Sequence, residues 1–200
     1  MKTLFFIPAL ALFLLTLSCR GQSFQLVDLG ATIGTNSYAQ GINNRGQVVG
    51  YWDAINGAHA FLYSAGNVTD LGLLGGSNNY ALSINNSGQV VGFSETSNGA
   101  AAFLFQDGTV TNLGILGGLS SYAFGINGRG QIVGHVVTAG GAMAYLYNNG
   151  TTISLGTLGG SNSFAYGVNN ALQVAGSSLE TNNLSTHAFI WQNGDRKSVV

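Results

Sequence analysis

The chain is poor in cysteine, proline and charge. Its 200 residues hold one cysteine, Cys19, and one proline, Pro8. With no second thiol, an intrachain disulfide and a multi-cysteine metal cluster are both excluded. Charged residues make up 6% of the sequence. Between Gln22 and Gly194 the acids Asp28, Asp53, Asp70, Glu95, Asp107 and Glu180 face only Arg45 and Arg129, a net of −4. Without a basic stripe to neutralise phosphates, nucleic acid is not an expected partner, nor is an anionic membrane surface. No segment places its apolar residues at a helical 3.6-residue period, so helices are not expected either.

Long apolar runs are also scarce, and the one that exists is at the start. Lys2 precedes a run from Leu4 to Leu17 broken only by Pro8 and Thr16, and Ser18-Cys19-Arg20-Gly21 follows. A basic start, a short apolar middle and a small-residue exit read as a signal peptide over residues 1–21, too short to span a bilayer comfortably. An uncleaved N-terminal anchor is the alternative. Cys19 raises a third reading, a lipoprotein acylated at that thiol. There Ser18 suits the small position, whereas Thr16 stands where a Leu is expected. Cleavage and release is the reading adopted, which leaves no transmembrane segment and predicts an extracellular or cell-surface location.

What the sequence does have is glycine, 31 residues of it, and a repeat. Gly41-Ile42-Asn43-Asn44-Arg45-Gly46-Gln47-Val48-Val49-Gly50 returns as Ser83 to Gly92, as Gly125 to Gly134 and, degraded, as Gly167 to Gly176, each time 42 residues on. Asp28-Leu29-Gly30, Asp70-Leu71-Gly72, Asn112-Leu113-Gly114 and Ser154-Leu155-Gly156 keep the same step, as do Tyr38, Tyr80, Tyr122 and Phe164. A third block, His59-Ala60-Phe61, Ala101-Ala102-Phe103, Met143-Ala144-Tyr145 and His187-Ala188-Phe189, slips by two in the last copy, where an insertion between Ser177 and Thr186 marks a loop.

Within one period four short strands are expected. Residues 37–43 and 47–52 flank Asn43-Asn44-Arg45-Gly46, and residues 59–64 and 67–71 flank Ala65-Gly66, both hairpin signals. Four strands in about 42 residues is the size of a propeller blade. The expected fold is therefore all-β, a β-propeller-like array of four-stranded antiparallel blades over residues 22–194, with repeats at about 35–76, 77–118, 119–160 and 161–194. A β-solenoid, with parallel coils, is the alternative. Residues 24–30 read as a lone fourth strand able to close the last blade, which otherwise has three strands. Asp195 to Val200 abandons the repeat and is expected to be a non-native tail, since a common sequencing-adapter start translates in frame to these six residues.

Candidate chemistry is sparse. Asp53 and Glu95 share a repeat phase in the segment between strands two and three, and Glu180 falls in the corresponding segment of the last copy. They form a candidate ring of carboxylates on one face, for a cation or a sugar, against the plainer reading of solvated loop charge. Tyr38, Tyr80 and Tyr122 are candidate ligand-face aromatics. His59, His135 and His187 are scattered in phase and do not converge as a zinc site requires, so neither a metal nor a cofactor is expected. The replacement of Asp28 and Asp70 by Asn112 and Ser154 suits a side chain that bonds nearby backbone. No catalytic residue is assigned.

The blocks His59-Ala60-Phe61 and His187-Ala188-Phe189, the Gly-Ile-Asn…Gly-Gln-Val-Val-Gly block at 41–50, and Asp70-Leu71-Gly72-Leu73-Leu74-Gly75-Gly76 resemble the HAF-repeat family, described as probable extracellular repeat proteins of bacteria. The resemblance covers nearly all of Phe24 to Gly194. Copies two and three depart from it, with Ala101 and Met143 in place of His. It implies an extracellular protein with no catalytic residues to carry over, and the reading adopted is an exported, non-catalytic interaction module at the surface, with polysaccharide or a surface protein as partner by analogy with what such loop faces do. A secreted carbohydrate-active enzyme using the face carboxylates, and a purely structural spacer, are the other readings.

Overall fold

The computed structural model describes residues 26–29, 36–72, 76–114, 116–192 and 195–198. The signal-peptide reading and Cys19 lie outside these residues. Among the described residues there is no helix. Sixteen strands form four antiparallel sheets, each cut from one contiguous stretch of chain. The first holds β1 (Ser37–Ile42), β2 (Val48–Ala54), β3 (Gly57–Ser64) and β4 (Asn67–Asp70). The second holds β5 (Asn78–Ile84), β6 (Val90–Thr96), β7 (Gly99–Gln106) and β8 (Thr109–Gly114). The third holds β9 (Ser120–Ile126), β10 (Ile132–Thr138), β11 (Gly141–Asn148) and β12 (Thr151–Gly156). The fourth holds β13 (Gly159–Val168), β14 (Val174–Glu180), β15 (Thr186–Gln192) and β16 (Asp195–Ser198). Strands pair in sequence order within each sheet, which is the expected blade and excludes parallel solenoid coils.

Local chemistry explains the hairpins. Ala65-Gly66, Asp107-Gly108 and Asn149-Gly150 all adopt positive φ at both positions, the left-handed pair that a two-residue turn needs to match strand twist. The first hairpin of each sheet carries a bulge, as at Ala81/Ser83 opposite Val91 and Gly92, and the bulge brings a carbonyl over the facing glycine. A Cβ at Gly92 would lie 1.8 Å from the Tyr80 carbonyl oxygen, so the last glycine of the Gln-Val-Val-Gly block is a steric requirement.

The core lies between sheets. Each sheet has a leading face, toward the preceding blade, and a trailing face, toward the next. Val49, Ala60 and Leu71 on the trailing face of the first sheet pack on Ala81, Ile84, Val90 and Phe103 on the leading face of the second. Val91 and Ala102 meet Ala123, Ile126 and Ile132 in the same way, and Val133, Ala144 and Leu146 meet Ala165, Val174 and Trp191. Three interfaces thus make three repeating core clusters. The first strands β1, β5, β9 and β13 touch one after another, so they form the inner edge of the fan.

The ends of the repeat array are described only in part. Leu26 to Leu29 forms no strand, and Leu26 is fully exposed; Phe24, Gln25 and Gly30 lie outside the described residues. The fourth place in the last sheet is filled instead by Asp195–Ser198, which pairs with Phe189 to Gln192. Locality accounts for this. Only Asn193-Gly194 separates the paired Gln192 and Asp195, so closing that hairpin costs far less chain entropy than recruiting a strand from the other end.

Candidate functional site

The four Asn-rich turns that join the first two strands of each sheet converge at one end of the inner edge. In the first, the Asn43 side-chain oxygen accepts from the amides of Arg45 (3.0 Å) and Gln47 (3.1 Å), while its Nδ2 donates to Gln47 Oε1 at 2.7 Å and to the Asn85 carbonyl at 3.0 Å. Asn85 repeats the arrangement and donates to the Asn127 carbonyl at 2.9 Å, and Asn127 to that of Asn169 at 2.9 Å. Each crossing bond spans 42 residues, one repeat, so a turn residue doubles as a bolt between blades. Beside these bolts, Asn44 donates its amide to Asn86 Oδ1 and Gly128 to Asn170 Oδ1, both at 2.9 Å. The turns line an open depression of about 320 Å³, bordered by Asn44, Asn86, Gly128 and Asn170 with Ile42, Ile84, Ile126 and Val168.

The sequence-predicted carboxylates lie elsewhere. Asp53 and Glu95 are in strands β2 and β6, not in loops, because the β2–β3 and β6–β7 hairpins turn tightly after Ala54 and Thr96. That places them at the opposite end of the sheets from the depression, about five residues or ~17 Å along the strand. Asp53 Oδ2 accepts from Asn36 Nδ2 at 3.2 Å. Glu95 Oε2 accepts from Asn78 Nδ2, and Asn78 Oδ1 in turn accepts the Ala58 amide of the preceding blade at 2.8 Å. Glu95 therefore orients an inter-blade clamp. Glu180 ends β14 one position later in phase than Glu95 and meets His187 Nδ1 at 3.2 Å. Asp53 and Glu95 both act on the Tyr80 phenol, and among the described residues no group of three His, Cys, Asp or Glu could hold a metal.

Tyr38, Tyr80 and Tyr122 belong to an aromatic belt that crosses the blades. Tyr38 stacks on Tyr51 at 4.8 Å, Tyr51 meets Tyr80 edge-on at 4.9 Å, and Tyr80 stacks on Phe93 at 4.8 Å. Phe93 then meets Tyr122 edge-on at 4.8 Å, Tyr122 stacks on His135 at 4.8 Å, and His135 meets Phe164 edge-on at 4.9 Å. Offset stacks and edge contacts of this kind stabilise by ~0.5–1.5 kcal/mol each beyond their area. Burial, and secondarily the charge of Glu95, raises the Tyr80 phenol above its usual value. Tyr38, at the start of the belt, is 44% exposed, so it alone of the three keeps a large free surface.

Two of the histidines meet a carboxylate of their own blade, His59 with Asp70 and His187 with Glu180. His59 Nδ1 sits 2.9 Å from Asp70 Oδ2, whose other oxygen accepts the Gly72 amide at 2.8 Å. Asn112 and Ser154 accept the Gly114 and Gly156 amides at 2.7 and 3.2 Å, which is the backbone-bonding role expected of that position. Sequence reasoning missed the bolts Asn43, Asn85 and Asn127, read there only as turn formers. Their signal was the same Asn-x-x-x-Gln spacing in all four copies.

No protein-family model matches the chain. No curated protein matches it. Among solved structures, TolB from Acinetobacter baumannii, a β-propeller, superposes with a TM-score of 0.62 at 13% identity, over 82% of this chain and 43% of TolB. The acylaminoacyl peptidase of Pyrococcus horikoshii superposes with a TM-score of 0.51 at 13% identity, over 82% of this chain and 27% of the peptidase. The chain spans less than half the length of either structure. Likeness at this identity carries the fold alone, and with the sheet order and stacking above it makes the chain a propeller-like array of four-stranded antiparallel blades.

Proposed function

We propose that the chain is an exported HAF-repeat protein that acts as a non-catalytic binding module outside the cell or on its surface, with neutral polysaccharide as its ligand class. The observation that carries this reading is the open depression of about 320 Å³ to which every blade contributes a turn, with the amides of Asn44, Asn86 and Asn170 beside Ile42, Ile84, Ile126 and Val168. Amides that both donate and accept, set next to branched aliphatics, suit sugar hydroxyls and the apolar faces of sugar rings. The carboxylates a glycosidase would need are engaged elsewhere, Asp53 with Asn36 and Glu95 with Asn78.

A glycan array probed with the purified chain tests this. Retention on neutral polysaccharides is expected, abolished by combining Asn44→Ala with Asn86→Ala and unchanged by Asp53→Asn. A chain that binds no glycan on the array, or that binds equally well with both asparagines removed, sinks the reading. Glycan turnover lost on Asp53→Asn would replace it with the enzyme.

A further inference from the structure

The aromatic belt repeats its rings from blade to blade but not its charge. At each interface a ring on the second strand of one sheet meets a ring on the first strand of the next at a steep angle: Tyr51 and Tyr80 at 76°, Phe93 and Tyr122 at 65°, His135 and Phe164 at 76°. Two residues beyond each second-strand ring, on the same face of its strand, stand Asp53, Glu95 and Val137 in turn, and Leu179 holds that phase in the fourth sheet. Each first-strand ring therefore has two such neighbours, one on the preceding sheet and one on its own. For Tyr80 both are carboxylates, Asp53 and Glu95. Tyr122 has Glu95 and Val137, and Phe164 has Val137 and Leu179. Negative charge is concentrated at Tyr80. That ring belongs to the second sheet, which has the first sheet on one side and the third on the other, so its surroundings are set by blades present on both sides.

The rings at this place are not sealed by packing. Tyr51, Tyr80 and Phe93 each keep part of their surface open, and Asp53 and Glu95 are exposed. Tyr80 stacks on Phe93 at 4.8 Å and meets Tyr51 edge-on at 4.9 Å. Asn36 and Asn78 hold the carboxylates by donating to Asp53 Oδ2 and Glu95 Oε2, and both charges act on the Tyr80 phenol. No base balances them from nearby within residues 22–194, because Arg45 and Arg129 both stand in the Asn-rich turns at the other end of the sheets. A bare metal ion does not suit the place, since among the described residues no third His, Cys, Asp or Glu joins the pair. An organic cation does. Aromatic faces attract it through the ring quadrupole, and a carboxylate on either side adds charge without asking for an N–H donor.

We propose that the inner edge at Tyr80, walled by Tyr51, Tyr80 and Phe93 and flanked by Asp53 and Glu95, binds a small organic cation of the alkylammonium class. The site goes beyond the glycan reading and shares no residue with the Asn-lined depression, so either can fail without the other.

The test titrates the isotope-labelled chain, followed by two-dimensional amide NMR at constant ionic strength, with choline and with its neutral isostere, in which a tert-butyl group replaces the trimethylammonium. Choline is expected to shift the amides of Tyr51, Tyr80 and Phe93 saturably in roughly the millimolar range, and the neutral isostere to bind at least about fivefold more weakly. Asp53→Asn combined with Glu95→Gln leaves an oxygen for Asn36 and Asn78 but removes both charges, and is expected to weaken choline about tenfold. Tyr80→Leu removes the central ring and is expected to weaken it by a similar factor. Asp107→Asn removes one charge from the β7–β8 hairpin and installs the residue type that Asn149 supplies in the third blade, so wild-type choline binding is expected of it. The dispersed amide spectrum of each variant is the folding control. A wild type that binds neither compound, or both equally, overturns the proposal. So does a folded Asp53→Asn, Glu95→Gln double variant that binds choline as the wild type does, or an Asp107→Asn variant that loses as much as the double variant.

Discussion

Asn85 and Asn169 occupy the same turn of the same repeat and make the same three local bonds. Each accepts two backbone amides at its side-chain oxygen and donates to the glutamine four residues on. Yet Asn85 is 5% exposed and Asn169 is exposed, and only Asn85 reaches across to the next blade. The whole difference is the presence of a neighbour. In this array a residue's energetic weight is set less by its own sequence context than by whether a copy of that context lies 42 residues further on, as expected when stability is a sum of repeat and nearest-neighbour terms.

Truncating the packed aromatics should widen that contrast most. Phe103, 1% exposed in the first interface, is expected to lose about 3–5 kcal/mol on Phe103→Ala, from the lost transfer energy and the cavity left behind. Phe189 holds the same phase in the fourth sheet but is only half-buried, so Phe189→Ala should cost roughly half as much. Urea unfolding of the two variants checks the ratio, and equal losses would mean that the fourth blade is as well packed as the second. Next in size is the bolt itself. Asn85→Ala leaves the Ser87 and Gln89 amides without an acceptor at a buried turn and breaks the crossing bond to the Asn127 carbonyl, which keeps only the Gly130 amide; it is expected to cost about 3 kcal/mol, whereas Asn169→Ala, open to water, should cost about 1 kcal/mol. Native-state hydrogen exchange at the Ser87 and Gln89 amides reads the lost local bonds, and an Asn85→Ala loss no larger than that of Asn169→Ala in urea unfolding would remove the bolt role.

The same contrast explains what could be read from the sequence. Strand pairs and sheet order were legible because the turns announce themselves: Asn43 to Gly46, Ala65-Gly66 and their copies hold residues suited to left-handed backbone, and the 42-residue step repeats them. The length of β2 was not, because its second turn is Ile55-Asn56, and Ile55 is an apolar residue that stands fully exposed and gives no turn signal. Asp53 and Glu95 consequently read as loop carboxylates rather than strand residues. Their partners sit 17 residues away, across a hairpin whose register only the fold sets. The crossing bonds of Asn43 and Asn85 depend on how one blade sits on the next, which periodicity implies but does not orient. Of the strand expected over 24–30, the described part, Leu26 to Leu29, is not strand, and the fourth place beside β15 is taken by Asp195–Ser198. The 24–30 pattern matched a fourth strand, but nothing in a local pattern decides which segment reaches the free edge of β15.

The smallest expected effect lies within the aromatic belt, where the third blade carries His135 at the phase held by Tyr51 and Phe93. Stacked between Tyr122 and Phe124 and edge-on to Phe164, its Nδ1 is buried with no hydrogen-bond partner among the described residues. Burial disfavours the imidazolium and lowers the group from 6.5 to about 4. The unfolded chain therefore binds a proton at this site more readily than the folded one between those values, and stability rises with pH across that window. The stability that neutral His135 confers is fully present above about pH 6.5 and is lost as the pH falls through about 4. Because the ring is only partly buried, the effect is modest. His135→Phe restores the residue type that Phe93 has in the second blade and replaces an unpartnered nitrogen with a carbon. The variant is expected to match the wild type near pH 7 and to exceed it at pH 5, read as the shift in urea midpoint between the two pH values. The other titrating groups are common to both proteins and cancel in the comparison, so an equal shift would remove His135 as the source and leave the belt uniform from blade to blade.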